Sequence, residues 1–499
     1  MDVLSSSAWD GVPMLDSNLQ PPPAPQAAAE AAPAPASGAA DSLQLLLFSA
    51  AELQAAAPPA DPAAPATEKI ARPAPRINRP ERFQGTFRSE SLDERLDADH
   101  PVRLVWRFVE GLDLSELFER VKAVEGSVGR NATDFRVLFA LLLWAAIDQV
   151  ASAREIERLT RQHRAYEWLR GRVPLNYHLI ADFRVQHAAL LDRLLSESLA
   201  SLMHEGLVNL ETTAQDGMKV RASAGSDSFR RAPSLQEHLE KAQQRVQELR
   251  DQADDPNVSQ RQKKARERGA REKLQRVQAA LEANAELAKE REARKKGDGP
   301  KTRTSTTDPD ARKMQMPDGG FRPAYNVQFT TTADAKIIVG VDVANQGNDA
   351  GQMQPMIEQV QDRLGAVPDQ HLVDGGFATK KDIEETTKLG TTVLAPVKEE
   401  EQQKAKGQDP FQPKKGDKPE VAAWRVRMGT AAAKQLYKLR GETAEWVNAC
   451  MRQRGMQQFM VRGLEKVRAM VLWYVLAHNL LRAEALRAQR EAAGEIPCA

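Results

Sequence analysis

The sequence predicts a mixed α/β domain that follows an all-α region and is interrupted by an antiparallel coiled-coil hairpin. Three observations carry that fold class. Residues 95–206 hold apolar side chains at helical spacing, and after residue 207 short β-branched runs with turn residues at their ends alternate with helical stretches. Between the first and second of those runs, residues 234–297 step by fours and threes over two segments of heptad character.

Taken in order, residues 1–80 are dominated by Ala and Pro ("QPPPAPQAAAEAAPAPAS", "APPADPAAPA"), which cannot bury enough apolar surface to offset the entropy of ordering. A disordered tail is expected, with "SLQLLLFSAAEL" at 42–53 as a sticky island. The helical region spans residues 85–206, built around "VLFALLLWAAI" from Val137. Ser152 and Glu155 form a capping box, and Phe183, His187, Leu190, Leu191, Leu194, Leu195 and Leu199 mark the buried face of one helix that Gly206 ends.

The strands expected next are "LVNLETTAQDG" (207–217), "AYNVQFTTTAD" (324–334), "KIIVGVDVAN" (336–345), "QHLVDGG" (370–376) and "GTTVLAPV" (390–397). The second and third are close enough to form an antiparallel hairpin, and helical stretches follow the third and fourth. This α/β domain covers residues 207–485, with the insertion at 230–300, and residues 486–499 read as a flexible tail. In the insertion, Leu235, Leu239, Ala242, Val246 and Leu249 form one seam, and Leu274, Val277, Leu281 and Leu287 form another after the breaker "DDPN". Ser234 and Glu237 make a second capping box, and the outer face is rich in Lys and Arg ("RQKKARERGAREK"). That basic run fits a solvated face or a DNA contact.

Basic and acidic residues nearly cancel, 70 against 69, so any nucleic-acid surface must come from local clustering. The two cysteines, Cys450 and Cys498, form no disulfide framework and no metal-ligand spacing. "MDVLSSSAWD" lacks a basic n-region, and the longest apolar run is too short for a bilayer span, so a cytoplasmic protein is expected.

Asp216 and Asp374 close expected strands, and each is followed by Gly, which lets the backbone turn away. Ligands of open α/β sheets bind at the carboxyl ends of strands, so the two acids can converge there; for either alone, capping is the commoner explanation. In "YKLRGETAEWVNACMRQRG" (437–455), helical geometry puts Tyr437, Arg440, Glu445 and Arg452 within about 140° of arc, with Leu439, Trp446 and Cys450 behind. Three hard oxygen donors suit Mg²⁺ or Mn²⁺, and two such ions support in-line phosphoryl displacement at a phosphodiester. Arg440 and Arg452 would grip the phosphates. His178 and His187 have no partner at metal spacing and read as ordinary core or surface histidines.

With these residues in view, the chain resembles the DDE-type transposases of bacterial insertion sequences, in the group whose last catalytic helix bears a Tyr, Arg, Glu, Lys signature. The resemblance spans roughly residues 85–485 and includes "LNYHLIADFRVQH" (175–187), "STTDPDARKM" (305–314), "GGFRPAYNVQ" (319–328), "NQGNDAGQM" (345–353) and "VRGLEKVRAMVLWYVLAHNLLR" (461–482). It implies a ribonuclease H-like catalytic domain and a helical DNA-binding domain before it. It also implies a metal-binding triad of Asp216, Asp374 and Glu445, two divalent cations, and contacts from Tyr437, Arg440 and Arg452 to transposon-end DNA. The implied partners are transposon-end and target DNA and a second copy of the chain in a synaptic complex, in the cytoplasm at the nucleoid.

Two departures stand out. Arg452 replaces the terminal Lys of the signature, and four residues rather than three separate Arg440 from the acid, which makes Glu442 a rival. Glu445 is preferred because six residues separate it from Arg452, as the signature requires. Asp349 sits where a supporting polar residue is expected, and Asp308 and Asp310 where strand-entry turns occur; for all three, a capping or turn role is favoured over metal binding. Two other classes of function share these features: a catalytically silent, domesticated DNA-binding protein, and a stand-alone two-metal nuclease.

Overall fold

The computed structural model describes residues 89–121, 131–251 and 259–494. The Ala/Pro-rich tail with its 42–53 island and the "DDPN" breaker lie outside the described residues.

Among the described residues the strands, in chain order, are β1 (Thr212–Arg221), β2 (Phe229–Arg230), β3 (Thr304–Ser305), β4 (Arg312–Gln315), β5 (Phe321–Thr332), β6 (Ile338–Ala344), β7 (Gln370–Leu372) and β8 (Thr392–Leu394). β2 and β3 form a small separate ribbon. In the main sheet β5 pairs antiparallel with β1 along one edge, from Thr213↔Thr332 to Arg221↔Ala324. Along its other edge it pairs with β6 and β4, so the expected hairpin of second and third strands is present. β1 then pairs in parallel with β7, and β7 in parallel with β8. The result is a mixed sheet in the order β6-β5-β1-β7-β8, with β4 beside β6 on β5, an arrangement compatible with a ribonuclease H-like α/β domain. Sequence patterning missed β4 because its "RKMQ" buries only Met314.

The helix Phe135–Ile147 is capped by Asp134, whose side chain accepts from Arg136 N, and everything from Val137 to Ala146 is buried. Ser152 caps Ala153–Gln162 by accepting from Glu155 N. The run expected as one helix from Phe183 to Leu199 is two, Tyr177–Gln186 and Ala188–His204, broken at His187 (φ −120°, ψ 37°). The apolar period survives the break because both segments turn the same side toward the last helix, Leu464–Ala492. Gly206 ends the second segment in the left-handed region, at φ 70°.

That last helix joins the two parts of the molecule. Trp473 meets the ring of Phe139 at 4.6 Å and donates its Nε1 hydrogen to Arg184 O at 2.9 Å. On the sheet side, Asn479 accepts from Ile338 N at 2.9 Å and donates to Ile338 O at 2.8 Å, which closes the open edge of β6. The N-terminal helices and the β5–β6 side of the sheet therefore share a hydrophobic core, β7 and β8 pack into a second one, and the boundary expected at 206/207 divides the sequence but not the first core. The flexible tail expected from residue 486 is corrected: the helix continues to Ala492. Leu486 packs on the core, Arg487 pairs with Glu205 at 3.0 Å, and Arg490 donates to Glu205 O and Gly206 O.

In the insertion, Ala232–Asp251 lies against Gln260–Arg294, burying Leu235, Ala242 and Val246 with Val277, Ala280 and Asn284. Ser234 does not cap the first helix, which already begins at Ala232; Pro233 fits within the first turn, where no intrahelical donor is needed. The capping box belongs to the second helix, where Ser259 and Gln262 satisfy each other's backbone N–H groups.

Candidate functional site

Asp216 lies inside β1 and not at its end. The parallel neighbour β7 stops at Leu372, paired with Ala214, while β1 runs on with β5 as its remaining partner. Two residues past that last parallel pair come Asp216 on one strand and Asp374 on the other, so both acids stand at the carboxyl end of the short strand. Gly217 is accordingly a strand residue, and the turn expected after Asp216 is absent.

The Asp216 side chain is 17% exposed. Its Oδ2 accepts from Asn448 Nδ2 at 2.9 Å and its Oδ1 from Gly217 N at 3.0 Å. Burial pushes its carboxyl up to about 6; Arg440 opposes the rise, and Asp374 and Asp349 add to it. Asp374 is more open, and its Oδ1 accepts from Gly376 N at 2.7 Å.

The third arm contains the spacing anomaly. Residues Gly441–Glu445 form a π-helical turn between Ala431–Tyr437 and Trp446–Gln453. An α-helix would set residues five apart about 140° from each other, whereas a π turn brings them back onto one side. The extra residue between Arg440 and Glu445 is absorbed in this way. Arg440 then lies 3.4 Å from Asp216, 3.9 Å from Asp374 and 3.7 Å from Glu445. The rival Glu442 is exposed and makes no ion pair with Arg440 among the described residues.

The π turn also rotates the next helical segment. Leu439, Trp446 and Cys450, expected as the apolar back, are at most half-buried, and the buried positions are Thr443, Ala444, Val447, Asn448 and Met451. Trp446 is 37% exposed beneath Lys336 and Arg482. Tyr437 is half-buried, and burial raises its phenol; Arg440, Asp374, Asp216 and Glu445 all act on it. Arg452 is exposed two turns beyond Glu445 and makes no ion pair among the described residues.

Other candidates fall elsewhere. Asp308 accepts from Tyr325 and Gly463 N, and Asp310 accepts from Leu464 N, so this pair anchors the start of the last helix. His187 packs on Phe183, and His178 is exposed beside Tyr177. Asn448 was not anticipated, nor was the buried polar group of Thr213, Gln215, Asn326, Gln328 and His371 on the sheet. Polar residues alternating along otherwise apolar strands were the available signal.

Among the described residues no three His, Cys, Asp or Glu side chains gather closely enough to hold a metal ion. Arg440 stands where three carboxylates converge, and the donor set of hard oxygens is chemically suited to Mg²⁺ or Mn²⁺. Such an arrangement is chemically suited to a phosphodiester, since charge-rich acids and an adjacent guanidinium can serve cations and phosphate oxygens respectively.

Comparison with known families gives two matches. Residues 293–480 match a family described as "Transposase DDE domain", and residues 90–186 match one described as "Transposase domain (DUF772)". No curated protein and no solved structure matches. The first match begins near the end of the inserted helices, so it takes in Asp374 and Glu445 but not Asp216. With transposase domains matched on both sides of the insertion, the chain belongs to the DDE-type transposases of insertion sequences.

Proposed function

We propose that this transposase binds the terminal inverted repeats of its own mobile element, cuts at their ends, and joins the freed 3′ ends to target DNA by transesterification. The observation that carries this reading is the meeting of Asp216, Asp374 and Glu445 at the single guanidinium of Arg440. These three acids would hold two divalent cations, Mg²⁺ or Mn²⁺, which supply Lewis-acid activation of the attacking and leaving oxygens.

The remaining roles belong to the chain itself. Asn448 orients Asp216 by donating to its Oδ2. Arg440 offsets the mutual repulsion of the acids, and its Nε is a donor with no partner among the described residues. Arg452, about 10 Å along the same helix from Glu445, is placed for a second phosphate of the transposon end. Tyr437 contacts the same DNA. The paired helices 232–294 are read as a coiled-coil hairpin that pairs two copies in a synaptic complex or lies along DNA at the nucleoid.

Strand cleavage of a terminal inverted-repeat duplex in Mg²⁺, followed by joining to a target duplex, tests the proposal. Asp374→Asn is expected to abolish both reactions and leave end binding intact. Cutting by that variant at the wild-type rate would remove the triad assignment. Cleavage without joining would point to a stand-alone nuclease, and DNA protection without cleavage to a silent, domesticated binder.

A further inference from the structure

Asp349 stands in the loop between β6 and the helix Met353–Leu364. Its Oδ1 accepts from the side-chain amides of Asn326 and Gln328, each at 2.7 Å. Those amides end a buried chain that crosses the sheet. Gln215 donates to Gln328 Oε1 at 3.0 Å, His371 Nε2 meets Gln215 Oε1 at 3.1 Å, and His371 Nδ1 meets Thr213 Oγ1 at 2.8 Å. All five partners are 0% exposed, so the network holds its terminal carboxylate in a fixed place.

The glycine after Asp216 is what admits that carboxylate. A Cβ on Gly217 would overlap Asp349 Oδ1 and lie 2.7 Å from Asn326 Oδ1. A Cβ on Gly376 would lie 2.9 Å from Asp374 Oδ1 and 3.7 Å from Asp349 Oδ2. One carboxylate thus rests on the backbone just past Asp216 and faces Asp374 across Gly376. No cationic side chain pairs with it among the described residues, and Arg440 is committed to the other three acids. Asn326 Oδ1, buried at the same point, has no hydrogen-bond partner among the described residues. Asp349 therefore adds an unpaired carboxylate beside the three that share the Arg440 guanidinium, and the hard oxygen donors of the site are of the kind a divalent cation takes.

Resting on the proposed transposase function, we propose that Asp349 is a fourth acid of the site, a positioning residue that seats the Asp374 loop against β1 and adds its charge to the field that draws divalent cations. Asp349→Asn is the decisive variant, because the amide keeps an acceptor for Asn326 and Gln328 and loses only the charge. The probe is Mn²⁺ alone, titrated into the full chain and read as free ion by electron paramagnetic resonance.

The variant is expected to bind Mn²⁺ about tenfold more weakly, as loss of an outer-shell partner does. The Mn²⁺ concentration for half-maximal cleavage should rise by the same factor, with end-DNA affinity unchanged and melting in EDTA not lowered. Gly217→Ala, whose methyl would crowd Asp349 and the two amides that hold it, should weaken Mn²⁺ binding at least as much. Wild-type Mn²⁺ affinity in Asp349→Asn, with loss in Asp374→Asn, would reduce Asp349 to a loop anchor. Absence of Mn²⁺ binding by the wild type would overturn the cation reading itself and this role with it, a result read from the wild type and not from the variant.

Discussion

Asp216 carries the largest electrostatic tension at the site, a carboxylate mostly removed from water with a guanidinium 3.4 Å away and other acids nearby. Burial dominates, and the group ionises near 6 when folded against 3.8 for the ordinary side chain. The folded state therefore binds this proton more tightly than the unfolded chain. The stabilisation is complete below pH 3.8 and is lost as pH rises through about 6. A shift of this size corresponds to ~3 kcal/mol. In EDTA, Asp216→Asn should raise Tm at about pH 7.5 and leave it unchanged below about pH 4. A lower Tm at the higher pH would show that the contact with Arg440 outweighs burial. Removing the counter-charge has the opposite sign: Arg440→Met should cost about 2 kcal/mol at neutral pH, because it leaves the buried Asp216 carboxylate facing the more open Asp374 and Glu445 with no cation between them. Thermal melts at falling pH would show that cost fading as Asp216 takes up its proton through about 6.

The π turn Gly441–Glu445 explains how a chain with one residue too many still brings Arg440 and Glu445 together. Deleting Gly441 should convert the turn to α-helix, preserve that pair, and retain cleavage within several-fold. Deleting Ala449 instead should rotate Met451 out of the core and cost about 2–4 kcal/mol, read by denaturant unfolding. If the Gly441 deletion were as damaging as the Ala449 deletion, the turn would not be an adjustable element. The end of the last helix makes a second case. Arg487 and Arg490 hold Glu205 and Gly206 by hydrogen bonds, so truncation after Ala485 cannot be neutral. Removing residues 486–499 in this way should cost about 1–2 kcal/mol, discounted for the partial exposure of the Arg487–Glu205 pair. Unchanged denaturant midpoints would restore the flexible-tail reading.

At the scale of the molecule, the last helix makes the helical region and the sheet a single packing unit, with Trp473 on one side and Asn479 on the other. Unfolding should therefore show one main transition for both parts, with helix loss by circular dichroism coinciding with tertiary loss by tryptophan fluorescence. Two separated transitions would mean that the shared core couples them weakly. Most element types were legible in the chain alone, because periods of 3.6 and 2 arise from backbone geometry and are written in local apolar spacing. The acids and arginines of interest were legible too, since charged groups on a short turn or one helical face are visible without a fold. Pairing and packing settled the rest. They put Asp216 inside a strand, because only pairing reveals that β7 stops while β1 continues. They closed the distance from Arg440 to Glu445 through a π turn, whose hydrogen-bond shift leaves no mark on composition. They also gave the glycine after Asp216 its meaning, since the carboxylate of Asp349 that fills its missing side-chain space comes from a separate loop of the chain.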